Sequence, residues 1–165
     1  MTEGFGVHHI GISTPDIARL SAFYQRCFGF EIAYESAWDE GVPAIDRMMG
    51  LERCAARVMM LRADTLFIEL FEFSKPRQPG GELRRSPAER GYTHFCIQLR
   101  DIDAEYERLR GLGMTFHAPP ALMAPGLKAA YGRDPDGNII ELLEISDPDF
   151  AFHFSQRHLS KGEIR

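Results

Sequence analysis

The sequence predicts an α+β protein made of two tandem βαβββ modules. Three observations predict it: a short strand motif that occurs twice, a second strand motif that also occurs twice, and turn-rich chain between the two copies. His9-Ile10-Gly11-Ile12 with Asp16-Ile17 returns 85 positions later as His94-Phe95-Cys96-Ile97 with Asp101-Ile102. Phe67-Ile68-Glu69-Leu70-Phe71-Glu72-Phe73 returns 72 positions later as Ile139-Ile140-Glu141-Leu142-Leu143-Glu144-Ile145. A fixed internal period marks a duplicated structural unit. The smaller second offset places extra chain in the first copy, within Trp38 to Arg57.

Each copy opens with a strand whose side chains alternate. Ile10 and Ile12 oppose His9, Gly11 and Ser13, and Phe95 and Ile97 oppose His94, Cys96 and Gln98. A helix follows. The first is expected from Thr14 as N-cap with Pro15 at its first position to Phe28, closed by Gly29. The second is expected from Asp101 to Leu112, closed by Gly113, with Ile102, Tyr106 and Leu109 on one face. Strands are then predicted at 31–35, 57–61 and 65–73, and at 115–117, 128–133 and 139–145. Asp134-Pro135-Asp136-Gly137-Asn138 supplies the last turn. The predicted organisation is one domain over 5–146, with module one at 5–73, a Pro/Gly-rich linker at 74–90, module two at 91–146 and a tail at 147–165. In that tail Phe150, Phe152 and Phe154 alternate, a stripe expected to cover a sheet edge or a partner chain.

Composition narrows the function. The 165 residues are 44% hydrophobic and 26% charged, an ordinary globular balance, with a net charge of −5. Lys and Arg are scattered, so no basic stripe offers itself to nucleic acid. No apolar run is long enough for a membrane span, and the first residues lack the pattern of an export signal. Three cysteines without CxxC spacing suit reduced thiols in a cytoplasm.

Glu69 and Glu141 each stand in the middle of an apolar strand, which is costly for a carboxylate unless it is paired or coordinated. The cost recurs at equivalent places, beside two repeat-related histidines. Either the four residues form hydrogen bonds and salt bridges in the core, or they hold a divalent ion; their repetition favours the ion. His8 is expected to pack or face solvent, and Glu72 and Glu144 to be solvated at the ends of their strands.

These pieces, together with Phe23-Tyr24 and Phe28-Gly29-Phe30, resemble the vicinal oxygen chelate superfamily, which includes glyoxalase I, methylmalonyl-CoA epimerase, extradiol dioxygenases, fosfomycin-resistance proteins and bleomycin-resistance proteins. The resemblance implies curved mixed sheets around a metal cleft, with His9, Glu69, His94 and Glu141 as ligands of Zn²⁺, Ni²⁺, Mn²⁺, Co²⁺ or Fe²⁺. It implies a glyoxalase-like lyase, isomerase or epimerase in which Glu141 or Glu69 is the catalytic base, acting on a small molecule, as a homodimer. Phe67, Phe71 and Phe73 suit a hydrophobic or aromatic substrate. Ring-cleaving dioxygenase chemistry is the second reading, because Tyr131-Gly-Arg-Asp-Pro-Asp-Gly-Asn-Ile-Ile-Glu141 resembles that signature. Against it, Leu122 to Pro125 hold no histidine, Ala130 is small, and Glu69 would crowd an oxygen site. A drug-sequestering protein is the third reading; such relatives typically lack the ligands this chain carries.

Overall fold

The computed structural model describes residues 6–78 and 85–156. The expected domain start at residue 5, linker positions 79–84 and tail positions 157–165 lie outside the described residues. The chain divides into two compact units, 1–82 and 83–165.

In the first unit β1 (His9–Ser13), α1 (Ile17–Phe28), β2 (Glu31–Trp38), α2 (Pro43–Met49), β3 (Ala55–Arg62) and β4 (Phe67–Lys75) follow one another. They form a sheet of order β1-β4-β3-β2, in which β1 runs parallel to β4 and the other pairs are antiparallel. Helix α1 covers one face. Its Ile17, Leu20, Phe23, Tyr24 and Cys27 are buried, as are Ile12, Met59, Leu61, Ile68 and Leu70 of the sheet. At about 1.5–3 kcal/mol per large apolar side chain removed from water, this seam is what fixes the helix on the sheet.

Helix α2, in the extra chain of this copy, buries no residue. It is a surface helix rather than a packed one. Asp46 ties it down by accepting the Cys54 N–H at 2.8 Å, a bond that holds the Asp46 carboxyl below the usual carboxylate value. The Trp38 indole N–H lies 3.4 Å from the Cys54 sulfur.

The second unit comprises β5 (His94–Gln98), α3 (Ile102–Gly111), β6 (Thr115–Phe116), β7 (Ala121–Ala124), β8 (Leu127–Arg133) and β9 (Ile139–Ile145). The order is β5-β9-β8-β6, with β7 paired to β8, and β5 again runs parallel to β9. The chain is thus α+β with two βαβββ modules, as expected, and module two inserts the short, unforeseen β7. Gly132 on β8 is required by close approach: a Cβ there would meet Met114 Cε at 2.5 Å and the Thr115 carbonyl at 2.9 Å.

Both helices begin in the same way. Asp16 and Asp101 are the N-caps, accepting from Arg19 N–H at 2.9 Å and Ala104 N–H at 3.3 Å. Thr14, the expected cap, instead accepts the Asp16 N–H at 3.1 Å, which delays the helix to Ile17. The first helical N–H of each, on Ile17 and Ile102, donates to Glu72 at 3.0 Å and to Glu144 at 2.8 Å. These glutamates are therefore not simply solvated; they satisfy helix-terminal donors that have no partner inside the helix. Gly29 closes α1 at φ 70°, as its position predicts. Among the described residues no helix is long and apolar enough to cross a membrane.

Candidate metal centre

The repeat places one imidazole and one carboxylate side by side in each module. Because β1 pairs in parallel with β4, and β5 with β9, the first-strand histidine and last-strand glutamate fall on the same sheet face, away from the helix. His9 Nε2 lies 3.2 Å from Glu69 Oε2, and His94 Nε2 lies 3.0 Å from Glu141 Oε2. The four predicted residues are thus brought together as two pairs. Among the described residues, neither module gathers three His, Cys, Asp or Glu side chains as a metal-binding group.

Each imidazole is also held from behind. His9 Nδ1 is 2.9 Å from His8 Nδ1, and His94 Nδ1 is 2.8 Å from Thr93 Oγ1. His8 and Thr93 occupy equivalent repeat positions, 85 apart. Both partners can donate or accept, so each imidazole can exchange its Nε2 hydrogen for one on Nδ1 without losing that contact. This is what a histidine needs when Nε2 becomes a metal ligand and Nδ1 keeps an orienting bond. The donors of each pair, an imidazole nitrogen and a carboxylate, are of the kinds that a divalent ion such as Zn²⁺, Mn²⁺ or Ni²⁺ takes.

His8 is exposed and packs on a neighbouring ring, and beyond that expectation it also meets His9. It lies just before β1, where strand alternation does not constrain it, and its ring stacks on Phe67 at 5.1 Å. Thr93, Cys96 and Tyr131 were not foreseen as neighbours of the pair in module two. Tyr131 and Cys96 lie opposite Glu141 on the two strands flanking it. The Tyr131 ring packs edge-on against His94 at 5.0 Å. Cys96 is surface-accessible as a residue. Its thiol is nevertheless pushed up to about 12, first by desolvation among these side chains and then by the Glu141 charge. The same two causes raise the Tyr131 hydroxyl.

The ligand face of module one is aromatic. Phe71 and Phe73 stack at 5.6 Å, and Trp38 meets their edges at 6.3 and 6.4 Å. In module two the tail folds back: the Phe154 N–H donates to Gln98 Oε1 at 2.9 Å, on the strand that carries His94. Phe150 and Phe152 pack on each other at 4.7 Å.

Similarity to known proteins agrees with this architecture. A glyoxalase family protein from Bacillus cereus superposes with a TM-score of 0.77 at 18% identity, over 88% of this chain and 99% of that one. The trypanothione-dependent glyoxalase I of Leishmania major gives 0.57 at 20% identity, over 84% and 85%. The fosfomycin resistance protein FosX of Listeria monocytogenes gives 0.54 at 24% identity, over 86% and 91%. A variant of that FosX has been solved with Mn(II) and 1S,2S-dihydroxypropylphosphonic acid. No curated protein sequence matches. The family model of the Glyoxalase/Bleomycin resistance protein/Dioxygenase superfamily matches residues 6–142. With the duplicated βαβββ modules and their repeated His–Glu pairs, that match over most of its length means the chain belongs to this superfamily.

Proposed function

We propose that this protein is a divalent-metal-dependent lyase, isomerase or epimerase of the glyoxalase type, with His9, Glu69, His94 and Glu141 as the ligand set. The observation that carries the reading is the repeated pair: an imidazole with Nε2 against a carboxylate and Nδ1 anchored by the preceding residue, once per module. A divalent ion takes more donors than one such pair supplies, which is why the proposed ligand set counts both. Mn(II) in the FosX variant supports the class of metal.

When bound in such a set, the ion supplies Lewis-acid polarisation of a substrate oxygen. The chain supplies the rest. His8 and Thr93 hold the imidazoles in orientation. A glutamate carboxylate accepts the proton from the carbon next to the substrate carbonyl and returns it to a neighbouring carbon. Trp38, Phe71 and Phe73 offer an apolar wall that suits a small hydrophobic or aromatic substrate and excludes water. We place the enzyme in the cytoplasm as a homodimer.

The dioxygenase reading is favoured by one feature, the Tyr131 hydroxyl beside Glu141 and His94. It ranks second because a three-residue set of His9, His94 and Glu141 leaves Glu69 to crowd an oxygen site. Metal analysis of the purified protein and of His94→Ala tests the site: stoichiometric metal is expected in the first and its loss in the second. Metal retained by His94→Ala would end the assignment. Proton exchange or isomerisation with hemithioacetals and acyl-CoA esters, set against oxygen consumption with catechols, then separates the two chemistries.

A further inference from the structure

The turn-rich chain between the repeats ends in a small folded piece that belongs to the second unit. Over 85–91 it is held by its own contacts. The Ser86 N–H donates to Glu89 Oε1 at 2.7 Å, the Glu89 N–H to the Ser86 carbonyl at 3.1 Å, and Arg85 Nη2 to the Arg90 carbonyl at 3.0 Å. Gly91 turns against it at φ 121°, where a Cβ would lie 3.3 Å from Arg85 Nη2. Arg133, at the end of β8, ties this piece to the sheet. Its Nη2 donates to the Arg85 carbonyl at 2.8 Å, its Nη1 to the Gly137 carbonyl at 2.6 Å, and its Nε to His117 Nε2 at 3.1 Å. One planar guanidinium thus joins the segment before β5, the turn before β9 and the residue after β6.

The contact with His117 has a chemical condition. A guanidinium only donates, so His117 Nε2 must accept and carry no hydrogen. An imidazolium carries a hydrogen on both nitrogens and cannot accept. The backbone holds His117 in place, its N–H donating to the Tyr131 carbonyl at 2.9 Å, so a proton on the ring sets two cations face to face. We infer that His117 and Arg133 form a proton-sensitive latch, shut at neutral pH and released by acid, on the segment that leads into β5. The docked form binds one proton fewer than the released form, so docking weakens as pH falls through the range in which imidazoles ionise.

The carboxylates around the latch are held by other partners. In the docked segment Glu89 lies 3.5 Å from Arg85 Nε. In the turn Asp134 accepts from the Asp136 N–H, the Asn138 N–H and Asn138 Nδ2 at 2.8–2.9 Å, and Asp136 is buried beside it. On β8 Tyr131 stays a neutral phenol, its hydroxyl held above the usual value by desolvation, and one strand beyond it Glu141 pairs with His94 at 3.0 Å. On α3, Tyr106 packs on Phe116 with Arg110 5.3 Å over its ring, and Glu107 holds Arg110 at 3.0 Å. The latch needs no ion and stands apart from the repeated His–Glu pairs.

The test is ¹⁵N relaxation of the full-length protein at pH 8 and pH 5.5, read as backbone order parameters over 86–91. The wild type is expected near about 0.85 at pH 8 and below about 0.6 at pH 5.5. His117→Gln keeps an acceptor and takes no proton, so it is expected to hold the higher value at both. Arg133→Lys replaces the fork with a single ammonium and is expected to give the lower value at both, with an unchanged circular dichroism spectrum. Equal order at the two pH values in the wild type overturns the latch. A fall that persists in His117→Gln assigns the proton to another group and overturns it as well. Full order at pH 8 in Arg133→Lys overturns the part given to Arg133.

Discussion

Replacing Glu144 by Ala isolates the strand-to-helix link that both modules share. The Ile102 N–H donates to Glu144 at 2.8 Å, while Asp101 serves the next turn through its side chain to Ala104 and its carbonyl to Glu105. Ile102 is fully buried, so no water readily replaces the lost acceptor. An unpaired buried donor costs about 1–3 kcal/mol, and losing a negative charge at a helix N-terminus adds about 0.3–1 kcal/mol. Partial exposure of Glu144 argues for the middle of that range, about 2 kcal/mol. For a chain of this size that is roughly 4–8 °C in Tm. Glu144→Gln keeps an acceptor and loses only the charge, so about 0.5–1 kcal/mol is expected. Urea unfolding followed by circular dichroism at 222 nm reads both variants. The reasoning is refuted if Glu144→Ala stays within 0.5 kcal/mol of wild type, or if Gln is as damaging as Ala. Glu72→Ala repeats the experiment in module one, where Trp38, the single tryptophan, reports by fluorescence.

Three further outcomes are expected. Gly132→Ala drives a methyl into the Thr115 carbonyl, which as backbone cannot yield, and should cost about 1–3 kcal/mol in the same urea assay; a neutral effect would contradict the close approach. Thr93→Val removes the partner of His94 Nδ1 and should weaken Mn²⁺ binding by about ten-fold in calorimetric titration, with an unchanged Kd counting against the orienting role. Cys96, at about 12, should resist iodoacetamide at pH 8, where roughly one thiol in ten thousand is ionised against about one in ten for an ordinary thiol. The folded chain retains this proton between the unfolded value near 9 and about 12, so Cys96 favours folding below that window and ceases to as pH rises through it. Labelling as fast as a free thiol would show that the thiol is not desolvated in this setting.

Much of this architecture was legible because duplication is a pattern in the sequence. Two offsets marked both modules and singled out His9, Glu69, His94 and Glu141, and Gly29 stood out as a helix terminator by residue type. What escaped depends on distance along the chain or on the limits of alternation. Glu72 reaches Ile17 across 55 positions and Glu144 reaches Ile102 across 42, so nothing local distinguishes them from solvated strand ends. His8 stands before its strand begins, and strand period says nothing about its ring. Thr14 looks like a cap by residue type, but Asp16 competes for the same task and has the better placement. Cys96 reads as a packing thiol and Tyr131 only as the start of a strand signature until cross-strand register sets them opposite Glu141.

The spacing Glu141 to Glu144, like Glu69 to Glu72, joins two tasks on opposite faces of one strand. Deleting a single residue between them would invert the strand from that point, so only one of the two glutamates could keep its proper side. Length changes should accordingly be tolerated in the connections, as between β2 and β3, and rejected inside these four-residue segments. The interval works as a ruler that ties the histidine-bearing side of each sheet to the start of the helix behind it.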